Sequence, residues 1–145
     1  MKRAVALNSN SALAHQNLGV VYFEAGRFKE ATESLKIAVS LDPTSAAAHS
    51  ALGVVYLNRC EYKSAQRVLE KAVALDPNDP RTQYHLGVVY LVLKRKDKFW
   101  QQHAVVKSLD SDLAQHLLQA LNQENLLVVS SQTSPRHLAD SKRKD

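Results

Sequence analysis

The sequence has very little cysteine, and this scarcity excludes several classes of protein. Cys60 is the only cysteine among 145 residues, so the chain can form no disulfide within itself and no cysteine-rich metal motif. Long apolar stretches are also missing, because no segment approaches the ~18 uninterrupted apolar residues of a membrane helix. Residues 1–10 lack the apolar core and small-residue cleavage site of a signal peptide. We therefore expect no membrane span and a cytoplasmic location.

Charge is moderate, and it does not identify a nucleic-acid-binding protein. The net charge is +5 with 23% charged residues, which is ordinary for a soluble globular domain. The densest basic cluster is Lys94-Arg95-Lys96 with Lys98, followed by Trp100. This cluster is short and falls where a turn between helices is predicted, and such turns are commonly charged and solvated. Nucleic-acid binding is therefore not expected.

What the sequence does contain is a repeat with a period of 34 residues. Leu18-Gly19-Val20-Val21-Tyr22 returns at residues 52–56 and again at 86–90. Within each unit the apolar residues recur at steps of three and four, which is helical spacing. Gly26 and Pro43 are suited to end the two helices of the first unit. Each unit is therefore predicted to be a pair of amphipathic helices.

This period, with its order of Leu-Gly, Tyr, Ala, Leu, Ala and Pro, resembles the tetratricopeptide repeat family over residues 2–123. The resemblance implies an all-α fold, an alpha-alpha superhelix in which three antiparallel helical hairpins form a right-handed solenoid with a C-terminal capping helix. Cys60 and Lys94 replace the glycine at the helix end, and Phe99 replaces a small alanine. With Phe99 facing Gly87, we expect the two helices of the third unit to lie further apart.

The organisation along the chain follows from the repeat. Residues 2–8 match the end of the second helix of a repeat. This match favours the interpretation that the chain is a piece of a longer solenoid. The alternative, that it is a complete product whose first hairpin has lost half its partner, remains open. We predict the following segments: 1–10, a partial second helix of a preceding repeat; 12–45, the first repeat; 46–79, the second repeat; 80–111, a degenerate third repeat; 112–123, the capping helix; 124–145, a disordered tail.

The histidines and the polar residues do not form a catalytic or metal centre. His15 and His49 occupy equivalent repeat positions, but neighbouring helices stand ~10 Å apart, whereas each nitrogen that shares a zinc ion lies ~2.1 Å from it. We expect both to be core residues, and burial also explains His103 and His116 on predicted apolar stripes. No carboxylate pair, phosphate loop or activated nucleophile stands out. We predict no catalytic residue, metal or cofactor.

The family resemblance places the binding surface on the inner face, which is lined by the first helix of each unit. Most of the inner residues are apolar, and such a patch suggests a bound apolar or amphipathic segment of a partner. Packing between neighbouring helices is the alternative explanation for Val20, Val54 and Val88. The predicted groove residues are Leu13, Gln16, Val20, Phe23, Ala47, Ser50, Val54, Leu57, Arg81, Tyr84, Val88 and Leu91.

A subgroup of the family binds the acidic tails of heat-shock chaperones through a clamp of Lys, Asn, Asn, Lys and Arg. The matching positions here are Gln16, Val20, Ala51, Arg81 and His85. A terminal carboxylate gains most from several converging cationic donors, and at most two of these residues carry a positive charge. Chaperone-tail binding is therefore not expected from the sequence.

These observations predict a non-catalytic scaffold or adaptor that binds a protein partner. One alternative is the targeting arm of a larger enzyme, since the family is also found fused to glycosyltransferase, kinase and peptidase domains. Another is self-association, in which the apolar run Leu126 to Val129 enters the groove of a second chain or of its own.

Overall fold

The protein is an array of α-helices joined by short turns. The computed structural model describes the backbone of residues 2–132 and the side chains of residues 10–123. Within that range no β-strand occurs, which confirms the predicted all-α helical-repeat fold. The helices are α1 (Lys2–Glu24), α2 (Phe28–Leu41), α3 (Ala46–Asn58), α4 (Tyr62–Leu75), α5 (Pro80–Val92), α6 (Lys96–Leu109) and α7 (Ser111–Gln132).

Consecutive helices pack against each other, and this order builds one continuous core. Helices α1 and α2, α3 and α4, and α5 and α6 form three hairpins, while α7 packs on both α5 and α6. Helix α2 also contacts α3, and α4 contacts α5, so each hairpin stacks on the next. The largest completely buried side chains are Leu35, Val55, Leu69, Val89, Phe99, Val106 and Leu117.

The first helix of every hairpin ends in the same turn, although only the first of the three turns contains glycine. Gly26 has a φ of 77°, and the equivalent residues Cys60 and Lys94 have φ values of 60° and 62°. In each turn the backbone N–H of the next residue donates to the carbonyl oxygen of the repeat tyrosine five residues before it, at 2.8–2.9 Å. The left-handed conformation suits glycine, so the other two residues adopt it at an energetic cost.

Close helix approach depends on glycine in the first two hairpins. A Cβ atom added to Gly19 would lie 2.6 Å from Cγ of Leu35, and one added to Gly53 would lie 2.5 Å from Cγ of Leu69. Real Cβ atoms do not approach other atoms this closely, because packed interiors leave no overlap. Any larger residue at these positions would push the two helices of the hairpin apart.

In the third hairpin Gly87 packs against Leu117 and Gln102 and not against Phe99, which corrects the expectation from the sequence. The atoms nearest to Gly87 belong to Leu117 of α7 and to Gln102 of α6, and a Cβ added there would lie 2.7 Å from Cδ2 of Leu117. Phe99 is buried at 2% exposure. The capping helix therefore supplies the leucine contact that α2 and α4 supply in the first two hairpins.

Both ends of the structure differ from the sequence-based expectation. Helix α1 runs without a break from Lys2 to Glu24, where a partial helix, a turn and a new helix were expected. The segment Asn8 to Ser11 has no proline, so nothing in it stops a helix. Helix α7 continues to Gln132, which corrects the prediction of disorder for residues 124–132. The remainder of the predicted tail, residues 133–145, lies outside the described residues.

The histidine environments agree only in part with the predictions. His49 is buried, and its Nδ1 lies 2.8 Å from the carbonyl oxygen of Ser45. His15 and His103 are half-buried, and His103 stacks on Phe99 with ring centroids 6.5 Å apart. His116 is exposed, which corrects its predicted burial. The buried stripe of α7 passes through Ala114 and Leu117 instead.

Candidate functional site

The predicted groove residues lie on the first helices of the hairpins, α1, α3 and α5. Their exposure varies along the surface. Leu13 and Val20 are 55% and 38% exposed, whereas Val54 and Val88 are half-buried. The surface is therefore neither fully exposed nor fully used in packing between helices. Ala47 and Arg81 are also exposed, and the other half-buried members are Gln16, Phe23, Ser50, Leu57, Tyr84 and Leu91.

A cavity of about 180 Å³ lies between the first two hairpins and is lined only by apolar residues. Three of the predicted groove residues, Val20, Phe23 and Val54, line it together. The side chain of Phe23 is fixed there by Phe28, with ring centroids 5.5 Å apart. Apolar concavities of this kind favour apolar side chains of a ligand. The other lining residues are Leu35, Ala51 and Val55.

The predicted residues of the third hairpin are separated from this cavity. Tyr84, Val88 and Leu91 pack partly against the core, and Tyr84 contacts His85 edge to face at 5.6 Å between ring centroids. They do not line the cavity around Val20. Phe23 and Leu57 also pack partly against the core, so five of the predicted groove residues have a structural role as well.

The predicted polar residues of the groove have different surroundings. The hydroxyl of Ser50 lies 2.9 Å from the hydroxyl of Thr82, so it joins α3 to α5. Thr82 in turn donates to the carboxylate of Asp79 at 2.9 Å. Arg81 is exposed and brings a positive charge to the start of α5. Ser50 therefore holds neighbouring hairpins together, while Arg81 is available to a ligand.

A second cavity, of about 220 Å³, lies where α5, α6 and α7 meet. It includes the groove residue Leu91 together with Trp100, which is 50% exposed. Sequence reasoning did not assign this cavity to the site, although the basic cluster beside Trp100 was the available signal. Its other lining residues are Tyr90, Lys94, Arg95, Lys96, Phe99 and Leu121.

Electrostatics distinguish the third hairpin from the others. Burial lowers the pKa of His85, and the Arg81 guanidinium lowers it further, while Asp79 and the Arg81 backbone act in the opposite direction. Tyr90 donates to Glu70 at 2.8 Å, and burial together with this hydrogen bond raises the pKa of Tyr90 well above its ordinary range. The neutral state of His85 is therefore favoured near neutral pH.

Metal ligation and membrane insertion find no support in the part of the chain that the structure describes. Over that range no group of three or more His, Cys, Asp or Glu side chains is placed to hold a metal ion. None of the described helices combines the length and apolar character that a membrane crossing needs.

Comparison with known proteins supports the class that the sequence predicts. Residues 22–84 match the family model of the tetratricopeptide repeat. Together with the three stacked hairpins, this match confirms the resemblance to the tetratricopeptide repeat family. Proteins of this fold are typically non-catalytic interaction modules, and a protein-interaction scaffold is the function that the family supports. No curated protein sequence matches the chain.

Solved structures with the same fold cover most of the chain. The Arabidopsis OM64 TPR domain superposes with a TM-score of 0.75 at 15% identity, covering 81% of this chain and 98% of that domain. The first TPR of Spaghetti (RPAP3), bound to the HSP90 peptide SRMEEVD, superposes with a TM-score of 0.75 at 20% identity, covering 81% and 95%. The crystal structure of MamA superposes with a TM-score of 0.72 at 27% identity, covering 99% and 85%.

These neighbours bear on the expectation about chaperone tails. The sequence argued against such binding, because the clamp positions hold Gln16, Val20, Ala51, Arg81 and His85. That expectation is not borne out, since structural neighbours of the chain are seen bound to HSP90 and HSP70 peptides.

Proposed function

We propose that this protein is a scaffold that holds an apolar or amphipathic segment of a partner protein against the inner faces of α1 and α3. The observation that carries the proposal is the cavity of about 180 Å³ in which Val20, Phe23 and Val54 converge without a polar lining residue. A partner side chain that enters it transfers apolar surface out of water, which is worth ~25 cal/mol per Å² buried.

The exposure pattern of the surface supports a ligand that enters between the first two hairpins. Leu13 and Val20 project from α1 at 55% and 38% exposure, and Phe23, whose ring contacts Phe28, lines the same cavity as Val20. An amphipathic helix could follow this row with residues at three- and four-residue spacing. Ser50 is less suited to orient the ligand, because its hydroxyl already contacts Thr82.

A second cluster of predicted residues extends the proposed surface towards α5. Tyr84, Val88 and Leu91 are half-buried, so each offers one edge to a ligand while the remainder supports the core. Arg81 adds the positive charge at this end of the surface. An acidic residue near the end of the bound segment would therefore add charge attraction to apolar contact.

The experiment begins with a random peptide library displayed on phage and selected against the wild-type chain. The affinity of the best peptide is then measured for wild type, Val20→Asp and Val105→Asp. Val20 and Val105 are both 38% exposed, but only Val20 lines the cavity. We expect Val20→Asp to weaken binding at least ~10-fold, or ~1.4 kcal/mol, because a carboxylate would lose water in the complex. Val105→Asp should bind as wild type does.

Two results would contradict this proposal. One is a selection that yields no peptide with measurable affinity, and the other is a selected peptide that binds Val20→Asp as tightly as Val105→Asp. Circular dichroism of both variants shows whether helix content is preserved, so a loss of binding cannot be confused with unfolding. The double substitution of Val54 and Leu57 by aspartate is a harsher variant, since both side chains are half-buried.

The chaperone peptide SRMEEVD serves as the second probe, because a structural neighbour carries it. At the matching positions of this chain Arg81 is the charged residue, so binding of the peptide should depend on it. Titration with wild type and with Arg81→Ala compares acidic-tail capture with apolar-segment capture. A tail affinity that exceeds that of the selected peptides, and that is lost in Arg81→Ala, would favour the acidic tail as the ligand.

A further inference from the structure

A groove between α4 and the turn that joins α5 to α6 is lined by positive side chains. This basic groove has a volume of about 480 Å³, and both of its walls belong to complete hairpins within the described residues. Its cations, Lys63, Arg67 and Arg95, are all exposed. None of the three forms a salt bridge with another described residue. The other lining residues are Gln66, Glu70 and Leu93.

The equivalent junction one repeat earlier, between α2 and the turn that joins α3 to α4, is bridged by the protein's own side chains. There Arg59 donates to the hydroxyl of Thr32 at 3.1 Å and forms a salt bridge with Glu61 at 3.1 Å. In the basic groove, Leu93 occupies the position of Arg59, and Arg95 occupies that of Glu61. A leucine can form neither contact, so this bridge between hairpins cannot form in the basic groove.

The turn beside the groove also lacks the acid that neutralises the turn of the first hairpin. Four of the five residues 94–98 are lysine or arginine. In the first hairpin Arg27 forms a salt bridge with Glu30 at 3.2 Å. The same two repeat positions in the third hairpin hold Arg95 and Lys98. An internal ion pair is therefore replaced by two like charges, which an acidic ligand would neutralise.

Glu70 is the single carboxylate among the residues that line the groove, and it offsets only part of the positive charge. Its Oε1 accepts hydrogen bonds from Gln66 at 2.9 Å and from Tyr90 at 2.8 Å, so neutral groups hold it in place. The cations of the lining outnumber it. A neighbouring concave surface on the same turn adds Lys96 and Lys98. The groove therefore keeps an excess of positive charge.

We propose that the basic groove binds an acidic segment of a partner protein, whose aspartate or glutamate carboxylates meet Lys63, Arg67 and Arg95. Hydrogen bonds between a carboxylate and a guanidinium group are charge-assisted and roughly twice as strong as neutral ones, and they can be bidentate. Opposite charge on the two surfaces also speeds the encounter of the partners. Because the cations are exposed, added salt should weaken the complex.

A nucleic acid fits this surface less well than a short acidic segment does. A nucleic-acid backbone carries a charge at every phosphate, so its binding depends on several cations along the strand. Asp97 interrupts the positive surface of the turn. One repeat earlier, Glu33 and Glu61 occupy the positions that arginines hold in the basic groove. A short acidic segment needs only the cations of this one groove.

The basic groove is separate from the surface that we propose for an apolar segment. It is formed by α4 and a turn, and it shares no residue with the cavity around Val20. It also does not include Arg81, on which capture of the chaperone peptide would depend. Binding of an acidic segment here can therefore be tested, and can fail, independently of the proposed function.

The test is the affinity of a fluorescein-labelled oligo-glutamate peptide for the full chain, measured by fluorescence anisotropy. A salt concentration of ~0.1 M is used, because it largely screens exposed charges more than ~10 Å apart. Arg67→Glu/Arg95→Glu inverts the charge of the groove and places glutamate where the earlier junction already has it. The matched control, Lys29→Glu/Lys36→Glu, makes the same change in charge at two exposed residues of α2.

We expect wild type to bind the peptide, and the groove variant to bind it at least ~10-fold more weakly, because attraction is replaced by repulsion at two positions. The control should lose less than ~3-fold, because its charges lie outside the groove. Arg67→Gln/Arg95→Gln, which adds no negative charge, should give an affinity between those of wild type and the groove variant. Circular dichroism checks the helix content of all chains.

Four results would overturn the proposal. The first is wild type that does not bind the peptide, and the second is a groove variant that binds it as tightly as the control does. The third is a glutamine variant with the affinity of wild type. A single-stranded RNA of the same length is titrated at the same salt concentration. RNA that binds more tightly than the peptide, and that is lost in Arg67→Glu/Arg95→Glu, would assign the groove to nucleic acid instead.

Discussion

The face of α1 that carries Leu18 and Val21 and the face of α3 that carries Leu52 and Val55 have the same sequence motif but different surroundings. Both carry Leu-Gly-Val-Val-Tyr, yet Val21 is 59% exposed and Val55 is 1% exposed. The difference arises because α2 covers α3, while no helix in the described part of the chain covers that side of α1. A repeated motif therefore sets which face of a helix is apolar, and the neighbouring hairpin decides whether that face is buried.

The largest expected effect tests this difference in burial directly. Leu52→Ala should lower the free energy of unfolding by about 2–5 kcal/mol, because it leaves a cavity in a packed core. Leu18→Ala, at the same repeat position, should cost less than ~1 kcal/mol, because the leucine is already partly in water. Both are measured by urea denaturation at the same protein concentration. Equal losses would contradict the assigned difference in burial.

The glycine contacts give the next largest effect and compare the second hairpin with the third. Gly53→Ala should destabilise the fold by about 1–3 kcal/mol, because the new methyl group would overlap the branch point of Leu69. Gly87→Ala should cost less, because it meets the end of the Leu117 side chain, which can rotate away. Thermal unfolding of the two variants checks the order, and a larger loss for Gly87→Ala would refute it.

The turns between paired helices should show a smaller effect of opposite sign. Cys60→Gly should raise the free energy of unfolding by about 1 kcal/mol, because residue 60 has a φ of 60° and glycine adopts this conformation without strain. Gly26→Ala should lower it by a similar amount, since φ is 77° there. Midpoints of urea denaturation test both. A stabilising Gly26→Ala would contradict the shared turn geometry.

The smallest expected effect is a change of stability with pH. It comes from His85, which occupies the repeat position that Ala51, a residue that cannot titrate, has in the second unit. Burial lowers the pKa of His85, so below its usual value of 6.5 the unfolded chain binds a proton that the folded chain does not. Stability should therefore fall on acidification from pH 7 towards pH 5. His85→Gln should lose less stability over that interval. Parallel pH profiles of wild type and variant would refute this assignment.

The sequence was sufficient for the features that depend on residues within one repeat. The period predicted the helices, and Gly26 predicted the turn after α1. These features are local, because each depends on spacing and on a small residue at a defined position. The resemblance to the tetratricopeptide repeat also predicted the fold that the structural neighbours share.

Features that depend on contacts between one repeat and its neighbours could not be predicted from the sequence. The contact of Gly87 with Leu117 requires the position of α7, which has no counterpart in the first two units. The exposure of His116 also depends on how α7, the helix that carries it, packs on the third hairpin. The division of the groove into a cavity around Val20 and a separate cluster around Tyr84 depends on how hairpins stack, which periodicity alone does not specify. The groove residues themselves stay a prediction.

One measurement tests the central claim, that the inner face captures a partner segment, most directly. Methyl NMR spectra of valine-labelled chain are recorded before and after addition of the peptide selected against wild type. The account predicts the largest shifts at Val20 and Val54, which line the apolar cavity, with Val21 and Val105 unchanged. Shifts confined to Val21 or Val105, with Val20 and Val54 unmoved, would contradict it.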